Sequence, residues 1–81
     1  DVMRLDKYLK VSRLIKRRTV ANEACDAGRV FINDKVAKAG AEVKVGDVIE
    51  IRFGAGSVRV RVVSTAEHVR KEEAGAMYTQ L

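Results

Sequence analysis

Hydrophobic side chains near the start of the chain recur at the three- and four-residue spacing of a helix that buries one face. On a helical wheel, one arc contains all of these side chains, namely Leu5, Tyr8, Leu9, Val11 and Ile15. Basic side chains occupy the opposite arc. The pattern predicts a first helix that begins at Met3 or Arg4, ends near Val11 and exposes a cationic face.

A second amphipathic segment predicts another helix, from about Arg17 to Ala27. Its buried stripe is made of small or branched side chains, and these are Val20, Ala21, Ala24 and Cys25. Lys16 falls on the apolar arc of a straight helix, so the first helix is expected to end before it. Gly28 follows as a left-handed terminator. The two segments therefore predict a helix pair joined by a short basic corner.

After Gly28 the pattern changes to the two-residue alternation of strands. Strands or extended segments are predicted at residues 29–33, 36–38, 42–45, 48–53 and 58–62. Turns are predicted at Asn33-Asp34, at Gly46-Asp47 and at residues 54–57. The expected fold class is α+β, with a two-helix basic hairpin packed on a small, mostly antiparallel β-sheet.

The end of the chain has a different character. The segment from Ala66 onward is polar, and Glu72 to Tyr78 has moderate helical character. The apolar side chains Met77, Tyr78 and Leu81 are suited to dock such a tail. We therefore expect one folded domain over residues 1–65 and a partly helical tail over residues 66–81.

Composition limits the class of protein. With 81 residues we expect one small domain, and 47% hydrophobic with 33% charged residues is typical of a folded, soluble protein. There is no apolar run of about 18 residues, so no membrane span is predicted. The charge pattern by itself is compatible with nucleic acid or an anionic membrane surface, and we expect RNA rather than a membrane as the partner. A single cysteine excludes an internal disulfide and agrees with a reducing compartment. We expect a cytoplasmic monomer.

The net charge of +5 belongs to the first half of the chain. Residues 1–38 contain ten Lys or Arg against five Asp or Glu, whereas residues 39–81 contain six of each. The helical region holds seven of the cations, which we call the helix-pair cations: Arg4, Lys7, Lys10, Arg13, Lys16, Arg17 and Arg18. A solvated face normally mixes both signs, so this pattern favours a surface for RNA phosphates. Arg29 and Lys38 are expected to support that surface.

Asp6 is the only acid among the helix-pair cations, and two interpretations of it remain open. It could orient the guanidinium group of Arg4 or Arg18 for RNA binding. Alternatively, it is a first-turn acid that the helix dipole favours and that pairs with Lys10 four residues later.

Groups suited to catalysis or metal binding are sparse. Cys25 lies on an apolar stripe and His68 stands alone in a polar segment, so no metal site, cofactor or general base is predicted. Aromatic residues make up only 5% of the chain, and Tyr8, Phe31 and Phe53 lie on predicted apolar faces. We predict that these three rings pack in the core and that RNA is recognised by shape and backbone.

Several short motifs occur in an order and spacing that resemble the RNA-binding domain named after ribosomal protein S-four, also called the alpha-L motif. They are Arg4-Leu5-Asp6, Arg18, Gly28-Arg29-Val30, Asn33, Lys38 and the Val43 to Asp47 turn. The resemblance covers about residues 4–53. It implies the helix pair and sheet described above and gives the largest RNA-binding roles to Arg4, Asp6 and Arg18.

Both ends of the chain are also similar to the RqcP family, small stand-alone bacterial proteins of ribosome-associated quality control that are related to a small heat-shock RNA-binding protein. The matching segments are Arg4 to Thr19 and Lys71 to Thr79. This resemblance implies binding to large-subunit rRNA and peptidyl-tRNA on a stalled subunit. It also implies an RqcH-type tailing factor as a partner during alanine tailing of the nascent chain.

Three other functions remain open on the sequence. The chain could be the RNA-binding appendage of a pseudouridine synthase or tyrosyl-tRNA synthetase, although 81 residues leave no room for a catalytic domain. It could be a heat-shock ribosome-recycling factor. A DNA-binding helix pair is a third class, and comparing duplex DNA with structured RNA at matched salt would discriminate it.

Overall fold

The computed structural model describes residues 3–65 and 75–81, which form two helices and a set of short strands. In chain order the elements are β1 (Met3–Arg4), α1 (Leu5–Val11), α2 (Arg18–Asp26), β2 (Val30–Ile32), β3 (Lys35–Val36), β4 (Glu42–Val43), β5 (Val48–Phe53), β6 (Gly56–Val62) and β7 (Tyr78–Gln80). This arrangement confirms the predicted α+β class. Neither helix is long and apolar enough to cross a membrane.

The strands form two sheets in which every neighbouring pair is antiparallel. Five of them pair in the order β3-β2-β5-β6-β7, and β1 pairs separately with β4. The longest pairing joins β5 to β6 through the two-residue turn Gly54-Ala55, since Phe53 lies opposite Gly56. The predicted hairpin at residues 54–57 is therefore confirmed.

One hydrophobic core lies between the helices and one face of the larger sheet. Its largest fully buried side chains are Leu5, Tyr8, Leu9, Val30, Val43, Ile49, Ile51, Val60, Val62 and Met77. The small residues Ala21 and Cys25 of α2 also lie in this core. Val20 was predicted on the same stripe but is 46% exposed, because the buried arc of α2 is narrower than the pattern indicated.

The start of α1 lies later than the sequence pattern predicted. Met3 and Arg4 form β1, and α1 begins at Leu5. The reason is tertiary, because the N–H groups of Leu5 and Asp6 donate to the carbonyl oxygens of Ala41 (2.8 Å) and Ala39 (3.1 Å). A remote loop thus satisfies the first amides of the helix.

The two helices end in left-handed residues. Arg13 follows α1 with φ = 63°, and its N–H donates to Lys10 O at 3.0 Å. Gly28 follows α2 with φ = 73°, which confirms its predicted role as terminator. The chain therefore turns between the helices before Lys16, as expected.

The turns of the sheet connect motif residues to one another. Asn33 and Asp34 both have positive φ values, 52° and 68°, and close the β2–β3 hairpin. The side-chain oxygen of Asn33 accepts a hydrogen bond from Val48 N–H at 3.0 Å, and its amide nitrogen donates to Asp47 at 3.3 Å. These two hydrogen bonds therefore hold the Asn33-Asp34 turn against the Gly46-Asp47 turn. The β3 strand covers Lys35–Val36 rather than residues 36–38.

The prediction that three aromatic rings pack in the core is correct for only one of them. Tyr8 is fully buried. Phe53 is 54% exposed because it lies at the end of β5, beyond the part of the sheet that the helices cover. Phe31 is half-buried on the opposite face of the sheet, where the Arg52 guanidinium carbon lies 4.3 Å from its ring centre.

The end of the chain adds a strand to the sheet. Residues 72–74 of the predicted helix lie outside the described residues, residues 75–77 form one turn of 3-10 helix, and Tyr78 belongs to β7. Pairing with β6 explains the difference, because it supplies backbone partners that a short isolated helix lacks. Met77 is buried, as a docked tail requires, whereas Leu81 was predicted to dock as well but is 58% exposed. The division of the chain at residue 65 stays a prediction.

Replacing Tyr8 with Phe is expected to lower the free energy of unfolding by about 0.5–1.5 kcal/mol, the net value of one hydrogen bond. The buried Tyr8 hydroxyl donates to Met77 O at 2.8 Å and so connects α1 to the end of the chain. The loss is moderate because Met77 O also accepts from Val63 and Ser64. Urea unfolding measures the change. Tyr78→Phe is the matched control, and an equal loss there would contradict the role of this bond.

Candidate nucleic-acid interface

The carboxylate of Asp6 is the centre of the polar cluster between the two helices. It is buried, with 1% of the residue exposed, and it accepts hydrogen bonds from both predicted arginines. Arg4 approaches it through Nε (3.3 Å) and Nη2 (3.4 Å), and Arg18 through Nε (3.1 Å). Asn22 Nδ2 donates at 2.9 Å and the Lys7 N–H at 2.8 Å. We call this set the Asp6 cluster.

This geometry separates the two interpretations of Asp6. The carboxylate accepts from Arg4 and Arg18 and not from Lys10 among the described residues. Burial alone would raise the pKa of Asp6, but the hydrogen bonds from Arg18, Asn22 and the Lys7 N–H outweigh it and hold the pKa below its ordinary value. Asp6 is therefore an ionised anchor for two guanidinium groups.

Acidification is expected to destabilise the fold through Asp6. Because the pKa of Asp6 is lower in the folded state, its contribution is complete above the ordinary value of 3.8 and is lost as the pH falls through the folded value. Urea unfolding from about pH 6 down to about pH 2 measures this, with Asp6→Asn as the comparison. The variant should be less stable near neutrality and lose less stability in acid. Equal losses in both proteins would rule out this role.

Both anchored arginines remain accessible. The side chains of Arg4 and Arg18 are 58% and 46% exposed, whereas that of Asp6 is 1% exposed. Asp6 engages only Nε of Arg18, so both terminal nitrogens of Arg18 are without an acceptor among the described residues. Gly40 lies beside Arg4, since a Cβ atom there would meet Nη2 of Arg4 at 3.9 Å. The cluster thus positions guanidinium groups and leaves donors for an external anion.

The N-terminus of α2 is open in a way that the N-terminus of α1 is not. The N-cap residue Arg17 makes no side-chain cap, and the first turn contains no acid. Within the described part of the chain, the N–H groups of Arg18, Thr19 and Val20 have no acceptor. Unpaired amides at a helix N-terminus favour a phosphate, and the Arg18 side chain starts from the same turn.

The other helix-pair cations surround this position to different degrees. Lys10, Arg13, Lys16 and Arg17 are exposed along the end of α1 and the corner, whereas Lys7 is half-buried and has a partner. Arg13 adopts a conformation that normally favours glycine. The corner therefore presents several cations beside the open end of α2.

The two supporting residues lie in different places. Lys38 is exposed and directly precedes Ala39, whose carbonyl oxygen accepts from Asp6 N–H, so its loop joins the Asp6 cluster. Arg29 lies beside β5 instead, because its carbonyl oxygen accepts from Arg52 N–H at 2.8 Å. The structure therefore brings Lys38, but not Arg29, to the helix pair.

Asn22 and the loop of residues 39–41 were missed by sequence reasoning. Asn22 lies four residues after Arg18 and donates both to Asp6 and to Arg18 O (3.2 Å). The i, i+4 spacing was a usable signal. The contribution of the loop is through backbone atoms, for which side-chain patterns give no signal.

The remaining candidate groups do not form a chemical centre. Among the described residues, no three His, Cys, Asp or Glu side chains are placed to hold a metal ion. Burial, with smaller contributions from the charges of Asp6 and Asp26, raises the pKa of Cys25 to about 11. Cys25 is therefore a protonated core residue. His68 lies outside the described residues.

Comparison with known proteins identifies the class of this domain. A family model described as S4 domain matches residues 3–49, more than half of the chain. The chain therefore belongs to the S4 domain family.

Two relatives identify a more specific family within the S4 domain proteins. A protein of Halalkalibacterium halodurans named RQC P-site tRNA stabilizing factor is 59% identical over 76 residues, covering 94% of this chain and 86% of the relative. A Bacillus subtilis protein of the same name is 56% identical over 79 residues, covering 98% and 92%. The chain thus belongs to the family of proteins with this name, and the predicted resemblance is confirmed.

Solved structures confirm the fold. Heat shock protein 15 of Vibrio cholerae, whose structure is described as trimeric, matches with a TM-score of 0.91 at 28% identity, covering 100% of this chain and 83% of that one. The solution structure of the hypothetical protein HP1423 matches with a TM-score of 0.82 at 31% identity, covering 98% and 96%.

Proposed function

We propose that this protein is a non-catalytic RNA-binding factor that acts on the large ribosomal subunit in ribosome-associated quality control. There it contacts rRNA, stabilises peptidyl-tRNA in the P site and assists an RqcH-type tailing factor in alanine tailing. A cytoplasmic location follows from this proposed role. The observation that carries the proposal is the Asp6 cluster, which aims two arginines outward beside an uncapped helix N-terminus.

The cluster is suited to a phosphate in both charge and geometry. A guanidinium group held by a carboxylate through one edge keeps its remaining N–H groups in a fixed plane, which matches the fork of phosphate oxygens. Nearby main-chain amides of α2 add donors that carry no sequence preference. This supports recognition of RNA backbone and shape. The name shared by the two relatives supports P-site tRNA as the RNA.

The protein is expected to slow dissociation of peptidyl-tRNA from isolated large subunits. Labelled peptidyl-tRNA is loaded in the P site, and its release is followed with and without protein. The Arg4→Ala/Arg18→Ala double variant should lose the effect because it removes both anchored guanidinium groups, whereas Lys44→Gln removes one exposed charge elsewhere and should retain it. Equal release rates with and without the wild-type protein would overturn the proposal.

If the protein were the appendage of an enzyme, incubation with the same large subunits would change the ribosomal RNA itself. A pseudouridine synthase would leave new pseudouridine in ribosomal RNA, which mass analysis of nucleosides detects. We expect no modified nucleoside, because the Asp6 carboxylate is buried and its oxygens already accept hydrogen bonds from Arg4, Arg18 and Asn22, so it is not accessible as a nucleophile.

The oligomeric state stays a prediction. We propose that the active form is a monomer, since one chain contains the whole Asp6 cluster. Light scattering at the concentration of the binding experiment tests this, and a trimer would contradict it.

A further inference from the structure

The face of the larger sheet that points away from the helices has its own set of arginines. Ile51 and Val60 point into the core, so the neighbouring Arg52, Arg59 and Arg61 point to the other face. Arg29 continues this set, because it precedes the buried Val30 and pairs through its backbone with Arg52. We call Arg29, Arg52, Arg59 and Arg61 the outer-sheet arginines. All four are exposed.

Among the described residues of this face, acids are fewer than arginines, and Glu50 and Asp34 are already paired. Glu50 accepts from Arg52 Nε at 2.9 Å, and Asp34 lies 3.6 Å from Arg59 Nη2. The side chain of Asp34 is 78% exposed, so water screens that pair. Arg29 and Arg61 have no acidic partner among the described residues. The face therefore has an excess of positive charge.

One feature of this face favours RNA over an acidic peptide. The Arg52 guanidinium carbon lies over the Phe31 ring, 4.3 Å from its centre, and Arg52 Nε donates to Glu50 at 2.9 Å. A guanidinium plane backed by an aromatic ring offers a surface on which a base can stack. Arg59 and Arg61, two residues apart on one strand, add neighbouring charges for a backbone that follows β6.

We propose that the outer-sheet arginines form a second RNA-binding surface, distinct from the helix pair, which contacts the backbone of a second RNA segment. This inference rests on the proposed function. The core lies between the helix pair and the outer face of the sheet, and the molecule measures 29 × 24 × 24 Å, so a single phosphate does not reach both surfaces. The half of the chain with zero net charge thus also contributes to RNA binding.

The test compares two double variants that each remove two positive charges. Arg59→Gln/Arg61→Gln changes the outer face, whereas Lys35→Gln/Lys44→Gln changes exposed lysines outside it. Lys35 lies opposite Ile32 in the β2–β3 pair and so points to the other side of the sheet. Binding to large subunits carrying P-site tRNA and to a short oligouridylate is measured over a salt series. Melting temperatures show that both variants are folded.

We expect the outer-face variant to bind both probes several-fold more weakly than the control pair. Its slope of log K against log salt should be shallower by about 1.4–1.8, as the loss of two phosphate contacts implies. Arg59→Lys/Arg61→Lys should restore the slope. Equal affinities of the two double variants would overturn the inference, as would equal competition by polyglutamate and by unlabelled oligouridylate. If Arg18→Ala still impairs subunit binding in that case, the proposed function stands and only the second surface is wrong.

Discussion

Raising the salt concentration from about 50 to about 200 mM is expected to weaken binding to large ribosomal subunits by roughly two orders of magnitude. The physical reason is counterion release, because each phosphate that a cation neutralises frees condensed ions into solution. If roughly five phosphates are contacted through the helix-pair cations, log K should fall against log salt with a slope near −4. Fluorescence anisotropy with labelled protein measures this slope.

The control for the salt series is the replacement of chloride by glutamate at fixed ionic strength. This exchange separates anion competition at the arginines from the release of cations from RNA. A slope near zero would show that charge at the helix pair does not drive binding. Such a slope would contradict the proposed phosphate contacts of the arginines in the Asp6 cluster.

Arg18→Ala is expected to weaken subunit binding by about 1–3 kcal/mol, or roughly five- to 150-fold, the range of a charge-assisted hydrogen bond. Arg18 stands in the first turn of α2, and its terminal nitrogens have no acceptor among the described residues. Arg18→Lys should rescue only in part, because it keeps the charge but loses the planar fork. Co-sedimentation with large subunits measures binding.

The melting temperatures of the same variants must also be measured, because Arg18 makes a structural contact with Asp6. We expect a small change in melting temperature, since its side chain is 46% exposed and Asp6 keeps its bonds to Arg4, Asn22 and the Lys7 N–H. Lys44→Ala is the control for loss of one exposed charge. If binding persists in Arg18→Ala, or is lost only together with thermal stability, Arg18 does not contact RNA.

The helix pair could be predicted well because its signals are local. Leu5, Tyr8 and Leu9 repeat at helical spacing and are all buried, and Gly28 ends α2 in the left-handed conformation. The error at Val20 arose because periodicity indicates a direction on the helix and not how wide an arc the core covers.

The positions of the central strands were predicted correctly, but the face of the sheet that a side chain occupies was not predicted correctly in every case. Alternation placed Ile49 and Ile51 correctly in the core and extended the same face to Phe53, which the helices do not reach. Tyr78 was assigned to a helix because its immediate neighbours favour one. Its pairing with Val62, sixteen residues earlier, has no local signal.

By itself the sequence determined which residues bear charge, the position of the two helices and of the central strands, and that the cations concentrate in the helical region. Only the tertiary structure decided what Asp6 does, because its role depends on Arg18, twelve residues away, and on a loop beyond residue 38. The tertiary structure also decided that Arg29 lies beside β5, away from the surface that the helix-pair cations form. Residue types and spacing report local geometry, whereas hydrogen bonds between remote segments depend on how those segments pack.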